Sequence, residues 1–280
     1  MTRPRIFAQV DVFSTTPYCG NPVAVILDGE GLDDKEMLQV ARWTNLSETT
    51  FIFQPTTQEA DYLVRIFTPG GELPFAGHPT LGSAHAWLEN GGVANHGQTL
   101  IQQCGAGLIK VRYEMGKLSF RAPNLVRSGN LDENYLEQIA ASFGIKRKNI
   151  LAHQWVDNGP GWAVIRLETA QEVLDLEPDL TIIPNAMVGA IGAYPAGSKY
   201  AFEMRTFAPA IGIAEDPVCG SMNASVGQWI TRSGEFTEGY KVSQGLRLGR
   251  KGEISITTNT DGEVWVGGAT KTLFTGSAII

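Results

Sequence analysis

The sequence predicts an α+β fold of two pseudo-symmetric halves, each a barrel-like antiparallel sheet around a central helix. Three observations carry that prediction. One stretch recurs: Arg65-Ile66-Phe67-Thr68-Pro69 leads on to Gly77-His78-Pro79, and Arg205-Thr206-Phe207-Ala208-Pro209 leads on to Gly220-Ser221. The two arginines lie 140 residues apart, half of the 280-residue chain, and the two glycines 143. The segment after each glycine is small or apolar over nearly its whole circumference (Leu81, Gly82, Ala84, Ala86; Ala224, Val226, Gly227), which suits a short helix buried on all sides. The remainder, punctuated by 32 Gly and 14 Pro, falls into short alternating runs bounded by turn residues, the signature of strands.

Residues 6–13 alternate and read as a strand, and the Pro/Gly-rich segment 17–22 breaks the chain before a second strand at 23–27. Asp33-Asp34-Lys35-Glu36 has the form of a capping box, and Met37, Leu38, Val40 and Ala41 recur at helical spacing. The β-branched and aromatic run after Glu48 returns the chain to a strand, with Glu48 at its mouth. A strand at 62–67 and the first central helix at 79–87, stopped by Gly91-Gly92, follow; consecutive strands then occupy 99–120, with a tight turn at Met115-Gly116. The halves are 1–125 and 126–280, the last strand being free to pair with the first half. After the boundary come a helix at 131–143, the turn Gly159-Pro160-Gly161 and a strand at 162–165, in which Ala163-Val164-Ile165 repeats Ala24-Val25-Ile26. Thr169 and Glu172 form a second capping box, the second central helix runs from 221 to 230 before Gly234, and a hairpin turns at Asp261-Gly262.

A net charge of −7, without any run of Lys or Arg, leaves no basic footprint for nucleic acid. The apolar runs are too short to cross a bilayer. The first residues enter a strand without the apolar core of a signal peptide, and three scattered cysteines form neither a disulfide set nor a metal-ligand spacing. A cytoplasmic protein is the expectation.

Chemistry is expected at the two central helix starts. Gly77-His78-Pro79 and Gly220-Ser221 each offer free N–H groups, a positive dipole end and a side chain able to cap. Facing one another across a cleft between the halves, they would hold a carboxylate and the extra charge that it gains when a neighbouring carbon loses a proton. The nearest acids in sequence are Glu48, Glu72, Glu215 and Asp216. Glu48 opens an apolar strand, where desolvation would raise its pKa toward a value useful in proton transfer. Asp216, just upstream of Gly220, is better placed than Glu72 or Glu215 to orient a ligand. Taken singly, Glu48 reads as a solvated strand end and Ser221 as a cap; the matched pair of helix starts is what argues for a site.

Gly20-Asn21-Pro22-Val23-Ala24-Val25, Ser47-Glu48-Thr49-Thr50-Phe51, Phe75-Ala76-Gly77-His78-Pro79-Thr80-Leu81-Gly82 and Glu215-Asp216-Pro217 with Gly220-Ser221 resemble the PhzF family of phenazine-biosynthesis-like isomerases across essentially the whole chain. The resemblance implies a diaminopimelate epimerase-like fold, a homodimer, and catalysis without metal or organic cofactor. It places Glu48 as the acid/base carboxylate, His78, Asp216 and Ser221 as substrate-binding residues, and Gly77 and Gly220 as backbone contacts. The implied reaction moves a proton between carbons of a small carboxylate substrate, trans-2,3-dihydro-3-hydroxyanthranilate in the phenazine enzyme. Cys219 and Met222 depart from the commonest pattern, Thr and Ala. Related epimerases and racemases carry a cysteine before each helix-opening Gly; the first-half counterpart here is Ala76, which excludes a two-thiol racemase. Two alternatives stay open: a non-catalytic protein that binds a small acid, and a one-thiol epimerase using Cys219. Cys19 and Cys104 read as structural, His85 as a satisfied core residue, and His96 and His153 as loop residues.

Overall fold

The computed structural model describes residues 2–114, 116–236 and 239–280, so Met115 of the turn at 115–116 lies outside the described residues. In chain order the elements are β1 (Pro4–Val12), β2 (Asn21–Ile26), α1 (Asp34–Thr44), β3 (Glu48–Phe53), β4 (Tyr62–Thr68), β5 (Gly71–Leu73), α2 (Gly77–Glu89), β6 (Thr99–Cys104), β7 (Gly107–Glu114) and β8 (Lys117–Arg121). They continue with β9 (Arg127–Gly129), α3 (Glu133–Ser142), β10 (Ala152–Asp157), β11 (Ala163–Thr169), α4 (Ala170–Leu174), β12 (Val188–Ala193), β13 (Phe202–Ala208) and β14 (Ile213–Asp216). The chain closes with α5 (Gly220–Ser233), β15 (Tyr240–Gln244), β16 (Gly252–Thr258), β17 (Val264–Gly268) and β18 (Thr270–Ile279). Two compact units result, residues 1–121 with 266–280, and residues 122–265.

In the first unit β18, β1, β2, β3, β4, β6 and β7 pair in that order, and β8 pairs with β7. In the second, β9, β10, β11, β12, β13, β15 and β16 pair in the corresponding order. The sheets are mixed, where the sequence pattern suggested antiparallel ones. β2–β3 and β4–β6 are parallel, as are β11–β12 and β13–β15. Each parallel pair encloses one helix, α1, α2, α4 or α5 respectively, because two parallel neighbours need a crossover long enough to return the chain to the same end. The duplication therefore extends to strand order, pairing sense and helix placement.

Both capping boxes are formed. The Asp33 carboxylate accepts from Glu36 N while Glu36 accepts from Asp33 N, and Thr169 and Glu172 do the same for α4. α2 packs against β1, β2, β3, β6, β8 and β18, which explains why it lacks a polar face. Its approach to the sheet is close enough that a Cβ on Gly82 would lie 2.3 Å from Val23 Cγ1. α5 runs similarly in the second unit, with Gly227 against Ile256 and Val264 and Met222 against Gly189. Among the described residues no helix is long and apolar enough to cross a membrane.

Candidate active site

In the first unit the parallel register sets Val23 against Glu48, so that Glu48 enters β3 beside the Asn21–Pro22 end of β2. It is 5% exposed, not the solvated strand end that an isolated Glu would suggest. α2 starts at Gly77 from an extended Ala76 with no side-chain cap, and Pro79 in the first turn has no N–H to satisfy, so the N-terminal dipole end is left without a capping oxygen. His78, the second residue of that turn, is buried and its Nε2 stands 3.3 Å from Glu48 Oε2. Its Nδ1 lies 3.2 Å from Asn21 Nδ2. Among the described residues His78 Nε2 makes no hydrogen bond, so its 3.3 Å approach to Glu48 Oε2 is a close contact of two buried polar atoms. Burial pushes the His78 pKa down to about 3, against the weaker opposing pull of a hydrogen bond with the Pro22 backbone. His78 is therefore a neutral imidazole beside Glu48, not a cation.

The second unit builds a different head on the same helix start. α5 begins at Gly220 from an extended Cys219, again with no side-chain cap, so the capping role open to Ser221 is not the one it plays. Ser221 Oγ accepts from Trp162 Nε1 at 3.0 Å and lies 3.5 Å from Cys219 Sγ. The Ser221 carbonyl accepts from Asn158 Nδ2 at 3.0 Å. Asp216 ends β14, buried, and its Oδ1 accepts from Val218 N at 3.0 Å, which bends the chain toward α5. Gln244 secures this turn from β15: its Nε2 donates to the Asp216 carbonyl, and its Oε1 accepts from Cys219 N and from Asn223 Nδ2.

Glu72 and Glu215 are occupied elsewhere. Arg65 donates to Glu72 and Arg205 to Glu215, each through two guanidinium nitrogens, and each arginine lies over the Phe two residues on, at 5.2 Å and 5.1 Å. The repeated R-x-F is thus a structural brace between β4 and β5 and between β13 and β14. Cys104 is buried, which raises its pKa, and His85 bonds Thr270 and pairs with Glu89. His153 sits on β10, not in a loop, and its Nδ1 accepts from Leu131 N.

Sequence reasoning did not single out Asn21, Trp162, Asn158, Asn223 or Gln244. Asn21 stood inside a recognisable motif, but its contact with His78 joins positions 57 residues apart. Trp162 follows a Gly-Pro-Gly turn and reads as an ordinary strand residue.

A duplicated α+β fold whose units each present an uncapped helix start with a polar side chain on its first turn, and a buried acid nearby, defines a protein of the epimerase-like class. The chain belongs to the phenazine biosynthesis-like protein family (PhzC-PhzF), whose model matches residues 10–280. It is 38% identical over 98% of its length to antisense-enhancing sequence 1 of Schizosaccharomyces pombe, and covers 98% of that protein. It is 32% identical to the trans-2,3-dihydro-3-hydroxyanthranilate isomerase of Pseudomonas fluorescens, with 87% of each chain covered. The crystal structure of a PhzF-family protein from Enterococcus faecalis superposes with a TM-score of 0.81 at 25% identity, covering 99% of this chain and all of that one.

Proposed function

We propose that this protein is an isomerase that moves a proton between two carbons of a small carboxylate substrate, without metal or organic cofactor, and that Glu48 is its acid/base. The observation that carries this reading is the buried Glu48 carboxylate held 3.3 Å from a neutral His78. In the proposed cycle the Glu48 carboxylate takes a proton from one carbon, and the electron pair left behind delocalises toward the substrate's carboxylate or ring. The protonated Glu48, whose carboxyl hydrogen exchanges with solvent in the intermediate, then delivers a proton to a second carbon, so no net proton is gained or lost. His78, a neutral imidazole beside Glu48, binds the substrate. Gly77 and Gly220 present backbone N–H groups, and Asp216 and Ser221 bind and orient the same substrate, with the α2 and α5 dipoles stabilising the added charge. The relatives named trans-2,3-dihydro-3-hydroxyanthranilate isomerase supply the first compound to test.

The decisive experiment is solvent exchange in deuterium oxide, run on that compound and on a panel of cyclic and acyclic 2-amino and 2-hydroxy acids. The expected result is deuterium at carbon, slowed by about a hundredfold or more in Glu48→Gln with the fold intact. Near-native exchange in Glu48→Gln would remove the assignment, and would leave Cys219→Ser to test the one-thiol alternative. A ligand bound without any exchange would favour simple binding. A two-fold homodimer is part of the same proposal, since strand-rich units leave edges that a second copy covers. Sedimentation at a mass near 30.3 kDa, independent of concentration, would exclude it.

A further inference from the structure

Ser221 is held in a way that decides what it can bind. A hydroxyl has two lone pairs and one hydrogen, whereas an indole N–H can only donate. Trp162, 3% exposed, fills one lone pair of Ser221 Oγ from 3.0 Å. Cys219 Sγ lies 3.5 Å away on the same oxygen, and a thiol is a weak donor and a weaker acceptor than any carboxylate. The Ser221 main chain is pinned independently, its carbonyl accepting from Asn158 Nδ2 and Ser225 Oγ. The bond accepted from the indole polarises the O–H, so the bond that Ser221 makes most strongly is one that it donates.

We propose that Trp162 is a positioning residue that fixes the Ser221 hydroxyl as a donor at the α5 N-terminus, and thereby selects an anionic oxygen of the substrate, carboxylate or enolate, over an amide or ammonium group. The proposal rests on the reading that Ser221 contacts the substrate. It is specific to this unit: by the Ala24/Ala163 repeat Trp162 stands where the first half has Val23, which carries no donor. There the corresponding helix start carries His78, which is held from Asn21 instead. An N–H pointed at the serine oxygen and a positive helix end act in the same sense, since both favour negative charge at the ligand atom facing Ser221.

The test uses anthranilate and its uncharged carboxamide, 2-aminobenzamide, titrated calorimetrically into the full-length wild type, Trp162→Phe, Ser221→Ala and the double variant. The wild type should prefer anthranilate, and Trp162→Phe should lose roughly tenfold in affinity for it while binding the carboxamide nearly unchanged. The double variant should bind anthranilate no worse than Ser221→Ala alone, because the indole acts only through the hydroxyl. Equal losses for both probes, additive losses in the double variant, or a wild type that binds neither probe or both alike would overturn the proposal. Should Trp162→Phe not give a cooperative melt, Trp162→His, which keeps a ring N–H, must retain the preference for anthranilate, and losing it would count against the proposal. Glu48→Gln separates the two ideas: unchanged proton exchange there would defeat the isomerase reading, while the binding selectivity would still report on Trp162.

Discussion

Two buried titratable side chains set opposite pH limits on this fold. His78 has its native pKa far below its ordinary 6.5, so on acidification the unfolded chain takes up a proton that the native state refuses, and stability falls from about pH 6.5 downward. The slope contributed is up to about 1.4 kcal/mol per pH unit. Glu203, buried on β13 and accepting from Tyr194 Oη at 2.8 Å, goes the other way. Burial raises it from 4.5 to about 7, against the opposing bonds from Ser243 and Tyr194 and the charge of Arg205. The native state therefore holds its proton where the unfolded state has lost it, and that stability is complete below pH 4.5 and lost as pH rises through 7. Glu203→Gln removes the titration, so its stability relative to wild type should improve between pH 4.5 and pH 8 by about 3 kcal/mol. A difference that stays flat in urea midpoints across that range would show that Glu203 is not held protonated. For His78, the ring proton resonance should stay constant from pH 8 to pH 5; a midpoint near 6.5 would contradict its burial as a neutral imidazole.

At the scale of elements, the duplicated brace has been placed in two environments and should respond unequally. Arg205 and Glu215 side chains are 5% and 10% exposed, and Arg205 also donates to the Val173 and Leu176 carbonyls at the end of α4. Arg65 and Glu72 are 25% and 40% exposed. Arg205→Ala strands a buried carboxylate and open carbonyls and should destabilise by about 3–5 kcal/mol, whereas Arg65→Ala should cost about 1 kcal/mol or less. Equal effects in denaturant titration would mean that the two braces are equally solvated. The central helices admit a parallel test. Gly82→Ala puts a methyl against Val23 from the first central helix and should cost about 1–3 kcal/mol by overpacking. Gly189→Ala meets only the flexible end of Met222, at 2.8 Å from Cε, and should be the milder of the two.

At the scale of the whole molecule, the last strand closes the first unit. All nine residues of β1 pair with β18, from Pro4 with Ile279 to Val12 with Thr270, and α2 packs on β18 as well. β9 plays the same part for β10, but only over Arg127–Asp157 to Gly129–Trp155. Removing residues 270–280 strips one whole edge from β1 and one wall from α2. Amide exchange in α2, slow in the full-length chain, should then become fast; protection that persists in the truncated chain would show that β18 is dispensable to this unit.

Much of this was legible in the sequence because it is written in local or periodic terms. A duplication shows as two copies of R-x-F-x-P half a chain apart, a capping box as an acid or threonine three residues before Glu, and an all-round buried helix as the loss of any polar stripe. The family motifs likewise singled out Glu48, His78, Asp216 and Ser221 as candidates, whose roles belong to the proposed function. What the tertiary structure alone decided lies between residues far apart in sequence. The sense of strand pairing was set by helices that return the chain to the same end of the sheet, which alternation cannot encode. Glu72 and Glu215 lost their candidacy to arginines that only folding brings within reach. The neutral state of His78 comes from burial, and the contacts that hold His78 and Ser221, from Asn21 and Trp162, span 57 and 59 residues. No pattern in a linear sequence records a hydrogen's direction, because it is the packed, water-poor surroundings that leave each of these groups a single partner to satisfy.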